Sequence, residues 1–550
     1  MKQSILKVHP DDNIIVALKD FAAGEEVVYN NRSIQLLETI PTKHKFAEQD
    51  FAVGDTITMY GVTVGKSIRP IPKGTRISTE NVKHSTNAYE IENRKLNWQA
   101  PDISKFKNLN FQGYHRADGR VGTRNYWLVI PLVFCENRNI QVMKEAMLEK
   151  LGYVTDRDFS VDMDQLIHQY KNGEAEQEIL NAAIIQDSET LKHNRLFPNV
   201  DGIKFLTHDG GCGGIRQDSE SLCRLLAGYV THANVAGATI LSLGCQNAQF
   251  RLLEEAIAEM DDNFQKPLFI LEQQQSKSER QFIAEAVKKT FVGLIAANKI
   301  ERQPASLQHL SLGLECGGSD GFSGITANPA LGYTSDLLVA LGAKTILSEF
   351  PELNGVEQEL INRCTTKPIA EKFSSIMKTY ALRAAEVGSG FDMNPSPGNI
   401  KDGLITDAMK SAGAAKKGGT SPVVSVLDYT EQADTPGLHL LCTPGNDVES
   451  TTGLAGSGAN LIVFTTGLGT PTGNPIAPTV KMATNNALAK RMGDIIDINA
   501  GTIITGEDTI ESKGEELLDL LIQVANGEVY THAERLGQDD FIPWKRGVSL

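Results

Sequence analysis

The sequence lacks most of the features that would place it at a membrane, on a nucleic acid or in an oxidising compartment. No stretch approaches the roughly 18–20 uninterrupted apolar residues of a membrane span, and the opening MKQSILKVHPDDN has no apolar signal-peptide core. Positive charge is in the minority: 53 Lys and Arg against 68 Asp and Glu leave a net charge of -15. Phosphate binding needs concentrated cations, so no nucleic-acid partner is expected. An anionic ligand would need locally placed positive charge or a metal. The seven cysteines, Cys135, Cys212, Cys223, Cys245, Cys316, Cys364 and Cys442, are odd in number and show no CxxC spacing. That argues against a disulfide framework and against a zinc ribbon. No GxGxxG follows an initial strand with an acid at the required distance, and Walker A spacing is absent. Neither a Rossmann dinucleotide site nor nucleotide hydrolysis is therefore expected. A cytoplasmic enzyme with reduced thiols and no membrane partner is the expectation.

What is present is an ordinary globular composition, 41% hydrophobic and 22% charged, over 550 residues. That length exceeds one compact core, so two or three domains are expected. Residues 1–90 alternate the β-rich runs NIIVAL, EEVVY, DTITMYG and VTVGKSI with turns at DFAAGEE, FAVGD and IPKGT, which predicts a small β-rich module. Residues 91–111 are polar, poor in apolar periodicity, and read as a linker. Beyond them apolar runs alternate with helix-like stretches: YWLVIPLVF then RNIQVMKEAMLEKL, GIKFLTHD then SESLCRLLAGYVTH, ATILSLG then AQFRLLEEAIAEM. This alternation predicts an α/β fold with mainly parallel sheets. A glycine-rich region from PSPGNIKDGL to GGTSP suggests a division near residue 390. It would separate an α/β catalytic domain, 112–390, from a C-terminal α/β domain, 391–550.

Ligands of open parallel sheets collect at the C-terminal ends of strands, and four such junctions are rich in reactive groups. FLTHDGGCGG carries His208, Asp209 and Cys212, and LSLGCQN carries Cys245, Gln246 and Asn247. LGLECGGSDGFSGITANPALG carries Glu315, Cys316, Ser319, Asp320, Ser323 and Asn328, and TILSEFPE carries Ser348, Glu349 and Glu352. Any one could be a plain turn with a packing cysteine, but four in consecutive α/β units point to a site. Cys223 and Cys364 lie in helix-like surroundings and read as packing. Two further segments suit an anion. GYHRADGRVGTRNY supplies Arg116, Arg120 and Arg124, and arginine can grip a carboxylate bidentately. FTTGLGTPTGNPIAPTVKMATN offers Thr466, Asn474 and Lys481 as donors. A purely structural turn is the alternative for both. His9 precedes Asp11, Asp12 and Asn13 at the entrance to an apolar run, which leaves open a capping role for the acid and a catalytic role for the histidine.

Together these motifs resemble the altronate and galactarate dehydratase family, whose relatives include a sulfolactate sulfo-lyase. The resemblance runs through VHPDDNIIVAL, GYHRADGRVGTRNY, HDGGCGG, LGCQN, LECGGSDGFSGITANPALG, SEFPE, PSPGNIKDGL and TTGLGTPTGNPIAPTVKMATN with DINAGTI. It implies that the N-terminal module is a SAF-type β-clip domain. It also implies a hydro-lyase that removes the hydroxyl β to a sugar-acid carboxylate, altronate first, and leaves a 2-keto-3-deoxy acid. Galactarate, or a 2-hydroxy acid in a related lyase, is the alternative substrate, and a non-catalytic sugar-acid binder is the reading from another class. A divalent metal, iron(II) or else manganese, is implied, with ligands among His208, Cys212, Cys245 and Cys316, because thiolate and imidazole suit iron(II). His9, Glu349, His208 and Asp320 form the expected catalytic set. Arg116, Arg120, Arg124, Ser319, Asn328, Thr466, Asn474 and Lys481 form the expected substrate-binding set. The sequence departs from the family at Leu468, where many members carry Arg, and the segment from Phe159 to Leu196 is longer than in compact members. Large α/β enzymes often oligomerise, so a homodimer is expected.

Overall fold

Short β-branched runs broken by tight turns cannot build a broad sheet. In the computed structural model, which describes residues 4–92, 94–154, 159–187 and 195–549, the N-terminal module accordingly forms three small antiparallel sheets. Hairpins join Glu26–Tyr29 to Arg32–Gln35 and Thr56–Met59 to Val62–Ser67. The first turn places Asn30 and Asn31 at positive φ and the second places Tyr60 and Gly61 there, the twist that two-residue hairpins favour. Asn and Gly tolerate this conformation, but a tyrosine in it is uncommon. The expected linker has little regular structure yet is packed down: Phe106 is buried and Lys105 Nζ pairs with Asp519 at 2.8 Å.

The second domain is a four-stranded, wholly parallel sheet in the order Gly202–Phe205, Tyr126–Pro131, Val235–Ser242, Leu268–Glu272. The helices Asn137–Leu151, Arg216–Thr231, Phe250–Met260 and Glu279–Ala297 cover it. The central strands are buried along their whole length, as parallel strands sandwiched by helices must be. The extra segment Phe159–Leu196 forms an exposed hairpin, Phe159–Val161 with Ile185–Asp187, and two short helices; residues 188–194 lie outside the described part.

The C-terminal domain is a seven-stranded parallel sheet in the order Val423–Leu427, Gly437–Leu441, Lys344–Leu347, Ser311–Cys316, Leu461–Thr466, Thr479–Ala483, Ile498–Asn499. The expected division near residue 390 is thus corrected, since it falls within one sheet. The glycine-rich stretch after it folds as the helices Pro397–Lys401 and Asp407–Ala414 and a turn at Ala415–Gly418, all packed on the same domain. Glycine there permits close approach and does not mark a linker: a Cβ on Gly419 would strike the carbonyl of Gly332. Among the described residues no helix is long and apolar enough to cross a membrane.

Of the arginines expected to grip substrate, Arg124 instead joins the second domain to the C-terminal one, and Arg116 and Arg120 bond within the second domain. Arg124 is fully buried; it pairs with Glu534 at 2.8 Å and donates to the carbonyls of Thr123 and Val524. Arg116 donates to the carbonyls of Ala233 and Arg124 and to Asn125, and Arg120 pairs with Asp118. The donors of Arg116 and Arg124 are committed to protein acceptors, so the substrate-binding expectation for these two is corrected, while Arg120 is held by Asp118 and stands near Asp261. Arg124→Ala would leave Glu534 buried without its cation, and denaturant unfolding should then show a loss of about 3–5 kcal/mol. An unchanged midpoint with a raised KM would restore the substrate-binding reading.

Candidate active site

In a parallel sheet, side chains from several loops converge where the strand order changes direction. Here that switch lies at Ser311–Cys316, flanked by Lys344–Leu347 on one side and Leu461–Thr466 on the other. The ends of Ser311–Cys316 and Lys344–Leu347, the turn beyond the latter, and the helix Asp447–Gly456 that follows Gly437–Leu441 bring together Glu315, Cys316, Ser348, Glu349, Glu352, Asp447 and Ser450. Glu349 stands at φ +66°, a left-handed conformation that costs a non-glycine residue roughly 1–2 kcal/mol. Two contacts hold it there. Its amide donates to the Thr443 hydroxyl at 2.9 Å, and its carbonyl accepts from the Glu352 amide at 2.8 Å.

Two lysines from the glycine-rich stretch neutralise this edge. Lys417 Nζ lies 2.6 Å from Glu349 Oε2 and 2.8 Å from Cys316 Sγ, and Lys410 Nζ lies 2.6 Å from Glu352 Oε1. All five side chains are buried or nearly so. Burial dominates the proton affinities, and the lysines sort them. Burial raises the Glu349 carboxyl, with a further push from Glu352, while the ammonium of Lys410 holds Glu352 below the usual range. Burial raises Glu315 far above its ordinary value; its Oε2 accepts from the hydroxyls of Ser348 and Ser450 at 2.8 and 2.6 Å. Burial and the nearby Glu349 lift Asp447 to about 7. The Glu315 and Glu349 carboxyls also stand close enough to hydrogen-bond one another, as two carboxyls can when one of them carries a proton. The Cys316 thiol and the carboxylates of Glu349 and Glu352 offer three donor atoms within 4.8 Å of one another. One soft and two hard donors fit a divalent ion of the iron class; such an ion and the Lys417 ammonium would share one anionic cluster.

The N-terminal module closes this edge. Lys43 Nζ pairs with Asp320 at 2.9 Å and Asp402 at 3.1 Å, and buried Lys45 donates to the Gly403 carbonyl at 2.7 Å. The Tyr60 ring reaches in so far that a Cβ on Gly324 would collide with its hydroxyl. Tyr60, Ser319, Asn328 and Lys410 line a cavity of only about 10 Å³. That holds no more than one water, so a sugar acid enters only if the module or its turn moves aside. A larger cavity of about 270 Å³, lined by His208, Cys212, Tyr429, Phe541 and Trp544, lies between the second domain and the chain's C-terminal tail. Its polar lining includes Asn137, His208, Asp209, Asp218 and Lys545, whereas Lys410 of the buried lysine–carboxylate cluster lines the small cavity.

Family models match the chain in three blocks: the altronate/galactarate dehydratase SAF domain over 3–85, the second domain of D-galactarate dehydratase/altronate hydrolase over 113–298, and the C-terminal domain of D-galactarate/altronate dehydratase over 307–549. The chain is 33% identical to an altronate dehydratase of Escherichia coli (strain K12), with 99% of each chain covered. It is 31% identical to an altronate dehydratase of Bacillus subtilis (strain 168), with 100% of each covered. It is also 30% identical to an L-threo-forming galactarate dehydratase of Escherichia coli (strain K12), over 97% of this chain and 94% of that one. The chain belongs to the altronate and galactarate dehydratase family. That family's enzymes are hydro-lyases, and the three matched blocks coincide with the β-rich module and the two parallel-sheet domains.

Within this family fold the expected site residues separate. Glu349, Cys316, Ser319 and Asn328 come together, although Asn328 also donates to the Gly413 carbonyl and accepts from Thr465. Asp320 does not stand free for proton transfer: Lys43, Thr484, Asn485, Ser323 and the Phe322 amide surround its two oxygens. His208 and Cys212 sit in the second domain, on the loop after Gly202–Phe205, so the expected ligand set of His208, Cys212, Cys245 and Cys316 is split. Both His208 nitrogens are also engaged, one with the Pro131 carbonyl at 2.7 Å and one with the Gly210 amide at 3.1 Å. Burial lowers that imidazole's proton affinity. Thr466 caps its own turn through the amides of Gly469 and Thr470, Asn474 braces Ile476 and Ala477, and Lys481 bonds Gln538. These three are corrected from substrate binding to framework. His9 packs on Gly61, beside Tyr60, while Asp12 accepts from the amides of His9 and Gly61 and braces the turn ahead of the strand Ile14–Ala17. Leu468 is part-exposed and its amide bonds the Gly318 carbonyl.

Sequence reasoning missed Lys410, Lys417, Asp447, Lys43 and Tyr60, each far in the chain from the strand it faces. Lys45, beside them, yields a pH signature. Burial pushes its ammonium down to about 7 from an ordinary 10.5. The unfolded chain therefore binds more protons between those values, and folding becomes more favourable as pH rises through them. Lys45→Met removes this dependence. The advantage of the variant's urea midpoint over the parent's should shrink between about pH 7 and pH 10, and a constant difference would contradict the assignment.

Proposed function

We propose that this protein is a sugar-acid dehydratase that converts D-altronate to 2-keto-3-deoxy-D-gluconate and water, working in the cytoplasm with iron(II) or manganese. The carrying observation is the buried cluster of Cys316, Glu349, Glu352, Lys410 and Lys417 at the switch point: two ammonium groups for an anion beside carboxyls of unlike proton affinity. Full-length similarity to two altronate dehydratases supports altronate, and similarity to a galactarate dehydratase makes galactarate the second acid to test.

The difficulty of the reaction is the weak acidity of a proton α to a carboxylate, whose removal leaves a doubly negative enolate. Lys410 and Lys417 hold the substrate carboxylate and meet that growing charge in a site closed to water. Glu349, its proton affinity raised by burial, takes the C2 proton. Asp447, near 7, gives a proton to the departing C3 hydroxyl. Loss of H from C2 and OH from C3 leaves the enol, which ketonises to the 2-keto-3-deoxy acid. A metal held by Cys316, Glu349 and Glu352 would supply Lewis-acid polarisation of the carboxylate and α-hydroxyl. Tyr60, Ser319 and Asn328 wall the cavity over these groups.

An anaerobic assay with iron(II) across aldonates and aldarates tests the reading. Altronate is expected to give a 2-keto-3-deoxy product, and Glu349→Gln to lower kcat by roughly 10²–10⁴ with unchanged circular dichroism. Faster turnover of galactarate would reassign the substrate. Tight binding without product from any acid would replace the enzyme by a sugar-acid binder.

A further inference from the structure

All three exposed cysteines of the chain stand on one edge of the second domain, whereas Cys223, Cys316, Cys364 and Cys442 are buried. Cys212 follows Gly202–Phe205, Cys135 follows Tyr126–Pro131 and Cys245 follows Val235–Ser242, three strands that are neighbours in the parallel sheet. Each thiol is therefore carried past a strand's C-terminal end, where such sheets hold ligands. The three loops are tied to one another. The Gly210 carbonyl accepts from the Phe134 amide at 3.1 Å, and the Gly211 carbonyl accepts from the amides of Asn247 and Ala248 at 3.0 and 3.1 Å. The loop of Cys212 is thereby wedged between those of Cys135 and Cys245. At Gly211 any side chain would strike the Leu132 carbonyl, so this wedge requires glycine.

Exposed thiols oxidise readily, and three on adjoining loops would be a liability unless a ligand uses them. The backbone around them is suited to an anionic ligand. Gly211, Gly213 and Gly244 take φ of +95°, +69° and +124°, and left-handed residues alternating with ordinary ones turn amides into the concavities that hold phosphates and iron–sulfur clusters. The spacing favours a cluster over a single ion. Thiolates around one tetrahedral ion at about 2.3 Å stand only roughly 3.8 Å apart. Among the described residues, the sets of three donors within 4.8 Å are Cys316, Glu349, Glu352 and Glu315, Glu349, Asp447, and neither includes these thiols. At least one pair of the three sulfurs is thus too far apart for one ion. A polynuclear cluster holds its cysteine sulfurs wider apart and takes most of its protein ligands as thiolates.

We propose that Cys135, Cys212 and Cys245 hold an iron–sulfur cluster. Three thiolates leave one iron of a four-iron cluster without a cysteine. The cavity of about 270 Å³ beside Cys212, part apolar through Leu222, Phe541 and Trp544 and part polar through Asn137 and Lys545, provides shelter and room for a small oxygen ligand there. The site stands apart from Cys316 and does not depend on which sugar acid the protein takes.

The test uses the full chain, purified under argon and reconstituted with ferric iron, sulfide and a thiol reductant. Expected are iron and acid-labile sulfide in equal amounts, a broad visible sulfur-to-iron absorption, and an electron paramagnetic resonance signal in one redox state. Cys135→Ser, Cys212→Ser and Cys245→Ser should each lose most of the labile sulfide and the absorption while keeping the parent's circular dichroism. Cys316→Ser should keep both. Iron bound without sulfide, a spectrum that survives the triple serine variant, or equal alkylation of the three thiols before and after reconstitution would overturn the proposal. Dehydratase activity is measured separately, so a silent cluster and a silent enzyme are distinguishable.

Discussion

Lys417 carries its ammonium group to within hydrogen-bonding distance of both a thiol and a carboxylate in a volume that water scarcely reaches. Taking charges out of water costs several kcal/mol per ion, so Glu315, Cys316, Glu349 and Glu352 can share that volume only because Lys417 and Lys410 enter it too. Much of the surrounding structure serves to put the two lysines there. The turn Ala415–Gly418 is anchored just beyond Lys417, where the amides of Thr420 and Ser421 donate to Asp336 at 2.9 and 2.8 Å. Helix Asp407–Ala414 presents Lys410 from the same side. Removing either cation would leave a buried carboxylate that must either take up a proton or unfold its surroundings.

Backbone strain concentrates at the same place. Glu349 and Tyr60 are two of the few non-glycine residues at positive φ, and they face the site from different domains. Conformations of this kind persist where the surroundings over-determine them, and they cluster at functional sites. The N-terminal module is held across the reactive edge by the Lys43 pairs with Asp320 and Asp402 and by the Lys45 bond to Gly403. A ligand admitted at this edge would therefore disturb charge pairs between the module and the C-terminal domain.

The fold was largely legible. Alternation of NIIVAL, EEVVY and DTITMYG with turns gave the β-rich module, and repeated apolar-strand and amphipathic-helix pairs gave two parallel-sheet domains, because periodicity records which face is buried. The division near 390 was misread because glycine marks close packing as well as loops. The site was half legible. Glu349 and Cys316 lie where a strand ends, a position that sequence reveals. Lys410, Lys417 and Asp447 owe their roles to burial and to partners distant in the chain, which no local pattern reports. Arg116, Arg120 and Arg124 had the right chemistry for a carboxylate, but they found carbonyls, Asp118 and Glu534 instead.

The account stands on the buried lysine–carboxylate cluster, rather than the larger cavity near Trp544, as the place where substrate reacts. A crystal structure with an altronate analogue lacking the C3 hydroxyl tests this most directly, since nothing can leave and the ligand stays bound. The account predicts its carboxylate against Lys410 and Lys417, with Glu349 facing C2 and Tyr60 displaced. An analogue seated instead among His208, Tyr429 and Trp544, with the lysine cluster unchanged, would contradict it.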